Sequence, residues 1–313
     1  MTSVINPKFR PLMQNVNNDF LSLMAIGDAF GMKYEFVEHA IPVAKEALFC
    51  GPHPKFSAYQ VGHYTDDTQM SLANAELLLK KPAEKICRDD FVLAWNAVFK
   101  RDPRQGYSRH MFQLMTEDLA PEDFYSRLDG KGTTGGAAMR AAPFGLLADL
   151  DMLNKLTREQ ALVTHNTNAG LNSALAVSIS THYLHHGGDI RYVEQFLTRQ
   201  IGKDWDSAKN GLSDDPGNGL KIVRQALNAV QTNDTLSDVL LSGVSQARVA
   251  DTDTVCAIAA AVSSRRMDVR DDLPESLRQG CENGTFGQDY LKHVDRQLMA
   301  KFPSTKQYER YIA

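Results

Sequence analysis

LNSALAVSISTHYLHHGG, residues 171–188, is the stretch whose reading decides the fold. Leu171, Ala174, Leu175, Val177, Ile179 and Tyr183 make one long apolar face on a helix, and Gly187-Gly188 supplies its terminator. The same spacing recurs outward in both directions. Phe20, Leu21, Leu23, Met24 and Phe30 predict a helix running toward Tyr34. Met70, Leu72, Ala73, Ala75, Leu77 and Leu78 predict a second, starting after Asp66-Asp67. Phe91, Val92, Trp95 and Val98 fall at i, i+1, i+4 and i+7. Ile222, Val223, Ala226, Leu227 and Val230 repeat the pattern, as do Val255, Ile258, Ala259 and Val262. A last helix runs from Gln288 toward Leu298. Alternating strand patterns bounded by Asn-Gly or Asp-Gly turns are scarce. The expected class is all-α, with alanine-rich helices that pack closely.

Glycine- and aspartate-rich breaks at Pro103–Tyr107, Asp129–Gly136 and Ser213–Gly219 are too short and varied for disordered linkers, so one domain over 1–313 is expected. An apolar share of 43% suffices for a sizeable core. A net charge of -4 argues against a general nucleic-acid binder and removes the polybasic attraction of a peripheral membrane protein. No stretch approaches the roughly 20 apolar residues that span a bilayer. Met1 to Asp19 shows no signal-peptide pattern. Cys50, Cys87, Cys256 and Cys281 are scattered, which speaks against a zinc site or disulfide framework and fits a reducing, cytoplasmic setting.

Two acidic clusters carry the chemistry. Thr65-Asp66-Asp67-Thr68 and Asp251-Thr252-Asp253-Thr254 each stand just ahead of an apolar helix. One reading makes them helix caps: Asp66 with Gln69 three residues on is a capping-box pattern. The other makes them hard oxygen donors for Mg²⁺, Mn²⁺ or Ca²⁺. Should both helix starts converge, four carboxylates face one point and need cations or protons. That number suits two ions about 3.5–4 Å apart, bridged by a shared carboxylate. Spacing alone does not bring the clusters together.

Several motifs stand in a fixed order: Gly27-Asp28-Ala29-Phe30-Gly31 with Glu35-Phe36, then Tyr64 to Met70, Ala138-Met139-Arg140-Ala141-Ala142-Pro143, Thr164-His165, and Asp251 to Thr254. In this order the chain resembles the ADP-ribosylglycohydrolase family from about Phe20 to Val262. The resemblance implies a compact, orthogonal, all-α helical bundle with a binuclear magnesium or manganese centre that cleaves ADP-ribose from modified acceptors. Thr65, Asp66 and Asp67 match the family's first metal cluster, and Asp251, Asp253 and Thr254 the second. Glu35 matches an acidic residue that reaches a metal or the scissile ribose in some members; the alternative is a solvated helix-end carboxylate. Gly132, Thr133, Thr134, Gly135 and Gly136 would pass near ribose and diphosphate, where a glycine-rich turn offers N–H groups to an anion, or else form a tight turn. Met139, His165 and Asn166 match positions beside the substrate, against a purely structural histidine. The chain departs from the family at Val249-Ala250, where relatives carry glycines, and at Gly135, where many carry asparagine.

On this resemblance the function is metal-dependent hydrolysis. Water attacks the ribose C1″, and Glu35, with Asp66 or Asp67 behind it, steers or accepts its proton. The substrate is an ADP-ribosylated protein or a small ADP-ribosyl compound. The competing readings are a silent ADP-ribose-binding module and a protein whose acidic clusters only cap helices.

Overall fold

The computed structural model describes residues 18–38, 42–203, 205, 215, 217–247 and 250–309. Val249 and part of the break at 213–219 lie outside this set. Fourteen α-helices carry the described residues: α1 Leu21–Met32, α2 Asp66–Lys80, α3 Arg88–Arg101, α4 Arg109–Glu117, α5 Pro121–Ser126, α6 Gly136–Met139 and α7 Leu150–Leu162. Then come α8 Asn168–His185, α9 Val193–Ile201, α10 Gly219–Thr232, α11 Leu236–Ala247, α12 Thr252–Ser263, α13 Glu275–Gly280 and α14 Gln288–Lys301. Three isolated bridges, among them Lys131 with His165 and Thr134 with Asn218, are the only β pairing among the described residues. The class is all-α, as the apolar spacing predicts. None of the described helices is long and apolar enough to cross a membrane.

Helix α1 is buried along its whole length, as its nearly continuous apolar sequence requires. It lies along α12 at very short range. A Cβ at Gly27 would come within 2.4 Å of the Cys256 carbonyl oxygen, and one at Gly31 within 2.6 Å of Asp253 Cα. Two glycines one turn apart, on one face of α1, therefore let the two backbones touch beside Asp253. Helix α8 ends where its glycines predict: Gly187 adopts φ +94°.

The N-termini of α1 and α2 are capped from outside their own segments. Asp295 of α14 accepts N–H bonds from Phe20 (2.9 Å), Leu21 (2.8 Å) and Ser22 (3.1 Å), and the Ser22 hydroxyl at 2.8 Å. Leu291, Val294 and Leu298 of the same helix join the main core. The C-terminal segment thus completes the helical core. At α2, Asp28 plays the part that Asp295 plays at α1. The capping box expected from Asp66 and Gln69 does not form. Thr65 is the N-cap residue and makes no side-chain cap bond, because its hydroxyl donates to Asp28. Gln69 instead donates to the Asp102 carbonyl and accepts from the Tyr107 hydroxyl.

All four cysteines are free thiols, although Cys50 and Cys281 bring their sulfurs to 3.7 Å. Replacing Asp295 by alanine strands three buried N–H groups. Asp295→Ala is expected to lower stability by about 2–4 kcal/mol in urea unfolding.

Candidate metal centre and substrate cleft

The two acidic clusters meet. Thr254 Oγ1 donates to Asp67 Oδ1 at 2.6 Å, joining residues 187 apart in sequence. Carboxylate oxygens of Asp28, Asp67 and Asp253 lie within 4.8 Å of one another, and so do those of Glu35, Asp251 and Asp253. Asp253 belongs to both triads, the arrangement a bridging carboxylate has between two cations. Thr65 stands at the edge, its hydroxyl donating to Asp28 at 2.8 Å and toward Asp67 at 3.3 Å. Asp66 belongs to neither triad. Its N–H donates to the Gln105 carbonyl, and its carboxylate packs on Gly106, where a Cβ would come within 2.0 Å of Asp66 Oδ1. Gly106 holds φ +103°, so no other residue fits there without strain.

Glu35 arrives just after α1. Lys33 anchors this exit by donating to the Ala47 and Phe49 carbonyls. Phe36, held at φ +49°, donates its N–H to the Ala250 carbonyl, next to Asp251. His53 Nε2 donates to the Glu35 carbonyl at 2.8 Å, since its Nδ1 accepts from the Lys55 and Phe56 N–H groups.

The electrostatics are those of crowded acids. Burial, then neighbouring carboxylates, pushes Asp66, Asp67 and Asp253 well above the usual range, and burial also raises Asp28 and Asp251. Glu35 is pushed up to about 8 by burial, then by Asp251, Asp66 and Asp28. Asp253 Oδ1 and Glu35 Oε2 are buried with no hydrogen-bond partner among the described residues. Hard oxygen donors, a shared carboxylate and two buried carboxyl oxygens without a partner fit divalent cations.

The triads edge a cavity of about 550 Å³, a volume suited to a small-molecule ligand. Comparison with known proteins follows the same line. The family model for ADP-ribosylglycohydrolase matches residues 20–307. The chain belongs to the ADP-ribosylglycohydrolase family. It is 25% identical to mouse ADP-ribosylhydrolase ARH3 over 321 residues, covering 82% of this chain and 85% of the relative. The bovine ADP-ribosylhydrolase ARH3 is 24% identical, covering 70% and 74%. A solved structure, described as an ADP-ribosylglycohydrolase-related protein complex, has the same fold. Its TM-score is 0.72 at 17% identity, over 95% of this chain and 98% of that one.

The ADP-ribosylglycohydrolase cleft places the remaining predicted residues unequally. Gly132, Thr134, Gly136, Met139 and His165 line the cavity; Thr133, Gly135 and Asn166 do not. The glycines make room for an imidazole: a Cβ at Gly132 would come within 2.5 Å of His165 Cδ2, and one at Gly136 within 2.9 Å of Cε1. The Gly132 N–H is already spent on the Thr164 carbonyl, so it offers nothing to an anion. Gly135 abuts the second cluster, its site for a Cβ lying 3.2 Å from Thr254 Cγ2 and 3.3 Å from Asp251 Oδ2. Asn166 is exposed. His165 lies between the Thr164 hydroxyl (2.6 Å from Nδ1) and that of Thr134 (3.2 Å from Nε2). Burial and then Arg140 lower its pKa to about 3, so the ring is neutral at physiological pH.

Three residues escaped the sequence reading of roles. Asp28 stood within the first motif, Gly27 to Gly31, but as an acid without a role. Gly106 was one glycine of a break, with nothing to announce its φ. Arg140 is the buried cation of the cavity wall, its guanidinium 4.1 Å from the centre of the Trp95 ring and bonded to Gln160 and Thr164. Burial lowers its pKa to about 9, which leaves it charged at neutral pH.

A carboxyl raised in the fold from 4.5 to about 8 binds its proton more tightly there than in the unfolded chain. Its contribution to stability is therefore lost as pH rises through that window. The metal-free protein is expected to melt lower at pH 8.5 than at pH 6, with a shallower decline in Glu35→Gln. Mg²⁺ or Mn²⁺ should raise the melting temperature more at the higher pH, which differential scanning fluorimetry measures directly.

Proposed function

We propose that this chain hydrolyses an ADP-ribose linkage, releasing ADP-ribose from a modified protein or small acceptor by water attack at the ribose C1″. The observation that carries the reading is the meeting of the two acidic clusters, with Glu35, Asp66, Asp67, Asp251 and Asp253 together on the wall of one ligand-sized cavity. Thr65, Asp66, Asp67, Asp251, Asp253 and Thr254 would hold two divalent cations, Mg²⁺ or Mn²⁺. Such ions supply Lewis-acid polarisation of the ribose hydroxyls and a bound water of lowered pKa.

The chain's own residues do the rest. Glu35, ionised once the centre is loaded, presents the unpartnered Oε2 to the water and takes its proton. A bond from the water oxygen to C1″ forms as the C1″–acceptor bond breaks, with oxocarbenium-like character at the ribose. The departing acceptor leaves with the proton that Glu35 took from the water. Neutral His165, Thr134 and Met139 form the wall on which ribose and diphosphate rest, and Gly132 and Gly136 hold that wall thin. Arg140, behind Thr164, contributes positive potential toward the diphosphate without contacting the metal ligands.

The ADP-ribosylhydrolase names of the mouse and bovine relatives support this choice of substrate class. Released ADP-ribose from arginine- and serine-modified peptides is the test. With Mg²⁺ or Mn²⁺ the chain is expected to turn over at least one of them, and a chelator should abolish this. Glu35→Gln should lower kcat by about 10²- to 10⁴-fold with metal-induced stabilisation retained. Asp66→Asn with Asp253→Asn should not lower the metal-free melting temperature, since neither side chain caps a helix and both sit among crowded acids, and should remove the stabilisation by metal. ADP-ribose binding without turnover of any linkage would defeat the proposal.

A further inference from the structure

Asp28 lies in the middle of α1, a helix whose neighbours in sequence are apolar, and it is wholly buried. Its Oδ2 accepts the Thr65 N–H (2.9 Å), the Thr68 N–H (3.1 Å) and the Thr68 hydroxyl (2.7 Å). Its Oδ1 accepts the Thr65 hydroxyl at 2.8 Å. All four donors belong to the two threonines that bracket Asp66-Asp67. A carboxylate offers about four acceptor positions, and here Oδ2 is fully engaged.

We propose that Asp28 is a positioning residue for the metal centre: it stays out of the coordination and aims Asp67 and Thr65 by anchoring the first turn of α2. This rests on the metal-dependent reading above and adds to it which carboxylate is not a ligand. The physical reason is a competition. A helix start leaves free N–H groups, and Thr, Asp and Asn side chains in the first turn turn back to satisfy them. Thr65, Asp66 and Asp67 are such side chains, and any of them that capped α2 would be lost to the cavity. Asp28 satisfies the Thr65 and Thr68 N–H groups from a neighbouring helix. Asp67 is thereby left to accept from Thr254 and to face Asp253. Gly27 and Gly31, on either side of Asp28, hold α1 against the start of α12, so a single helix registers both clusters. The proximity of Asp28 to Asp67 and Asp253 then follows from its anchoring role.

Thr68 separates this proposal from direct ligation. It is buried, outside both triads, and bonds Asp28 through its hydroxyl. Thr68→Val keeps the shape and removes only that bond. The readout is Mn²⁺ binding to the full chain, followed by the spin-resonance signal of free Mn²⁺, with the metal-free melting temperature beside it. Positioning predicts that Thr68→Val weakens Mn²⁺ affinity by about tenfold, the scale found when a residue supporting a metal ligand is lost. Two ions should still bind at saturation, and Thr68→Ser should restore the affinity. Asp28→Asn should weaken binding further, by about 10- to 100-fold, again with two ions at saturation. If Thr68→Val leaves Mn²⁺ affinity unchanged, or if Asp28→Asn saturates at one ion, the proposal is overturned, the latter because Asp28 is then a ligand. A lowered melting temperature with unaltered Mn²⁺ affinity in both variants also overturns it, reducing Asp28 to an ordinary cap. A wild-type chain that binds no Mn²⁺ defeats the metal reading itself, a result distinct from all of these.

Discussion

Asp28, Asp67, Asp253 and Glu35 are buried, and Asp66 and Asp251 half-buried, in one corner of an otherwise apolar bundle. Burial and mutual repulsion both oppose their ionisation, and nothing in an all-α scaffold requires such a gathering. The rest of the molecule is arranged around that opposition. Three helices end or begin there, and α1 supplies both the glycines that admit α12 and the acid that anchors α2. The cost of gathering these acids is offset by protons or by a counter-charge, and Arg140, on the far side of Thr164, does not reach the triads to supply the latter. Cations are the chemistry this corner suits.

Long-range capping is how the fold tolerates acids in its interior. Asp295 and Asp28 each receive four hydrogen bonds, every one from the start of another helix or the threonine or serine beside it. In both cases a helix terminus is satisfied by a partner remote in sequence, so the first-turn side chains of that helix are released for other work. At α1 the gain is only architectural, since α14 is locked onto the core. At α2 the released side chains are Asp66 and Asp67, and the gain is a site.

The opposite wall of the cleft follows a different logic. His165 is kept neutral by burial beside Arg140, and Gly132, Gly136 and Gly170 crowd its ring and Cβ from several sides. A glycine-rich stretch before a short helix reads as an anion cradle, but here the missing side chains are replaced by an imidazole. Hydrogen-bonding capacity comes from Thr134, Thr164 and the ring itself. The cleft is thus acidic at one end and neutral at the other, with Arg140's charge set behind the neutral wall.

Helix content and helix positions were legible from residues alone, because burial of one face imposes a 3.6-residue period that local sequence cannot hide. The stretch 171–188, the run after Asp66-Asp67 and the run after Asp253 all lie on helices as read. The two acidic clusters were also visible, as composition is local. Whether they capped helices or faced each other was not, since each reading needs the same residues at the same spacing. Only packing decided it: Gly27 and Gly31 bring α12 against α1, Asp28 takes over the capping of α2, and Thr254 then reaches Asp67. Asp28 and Gly106 draw their meaning from neighbours dozens of residues away, which is why the tertiary structure, and no local pattern, assigned them.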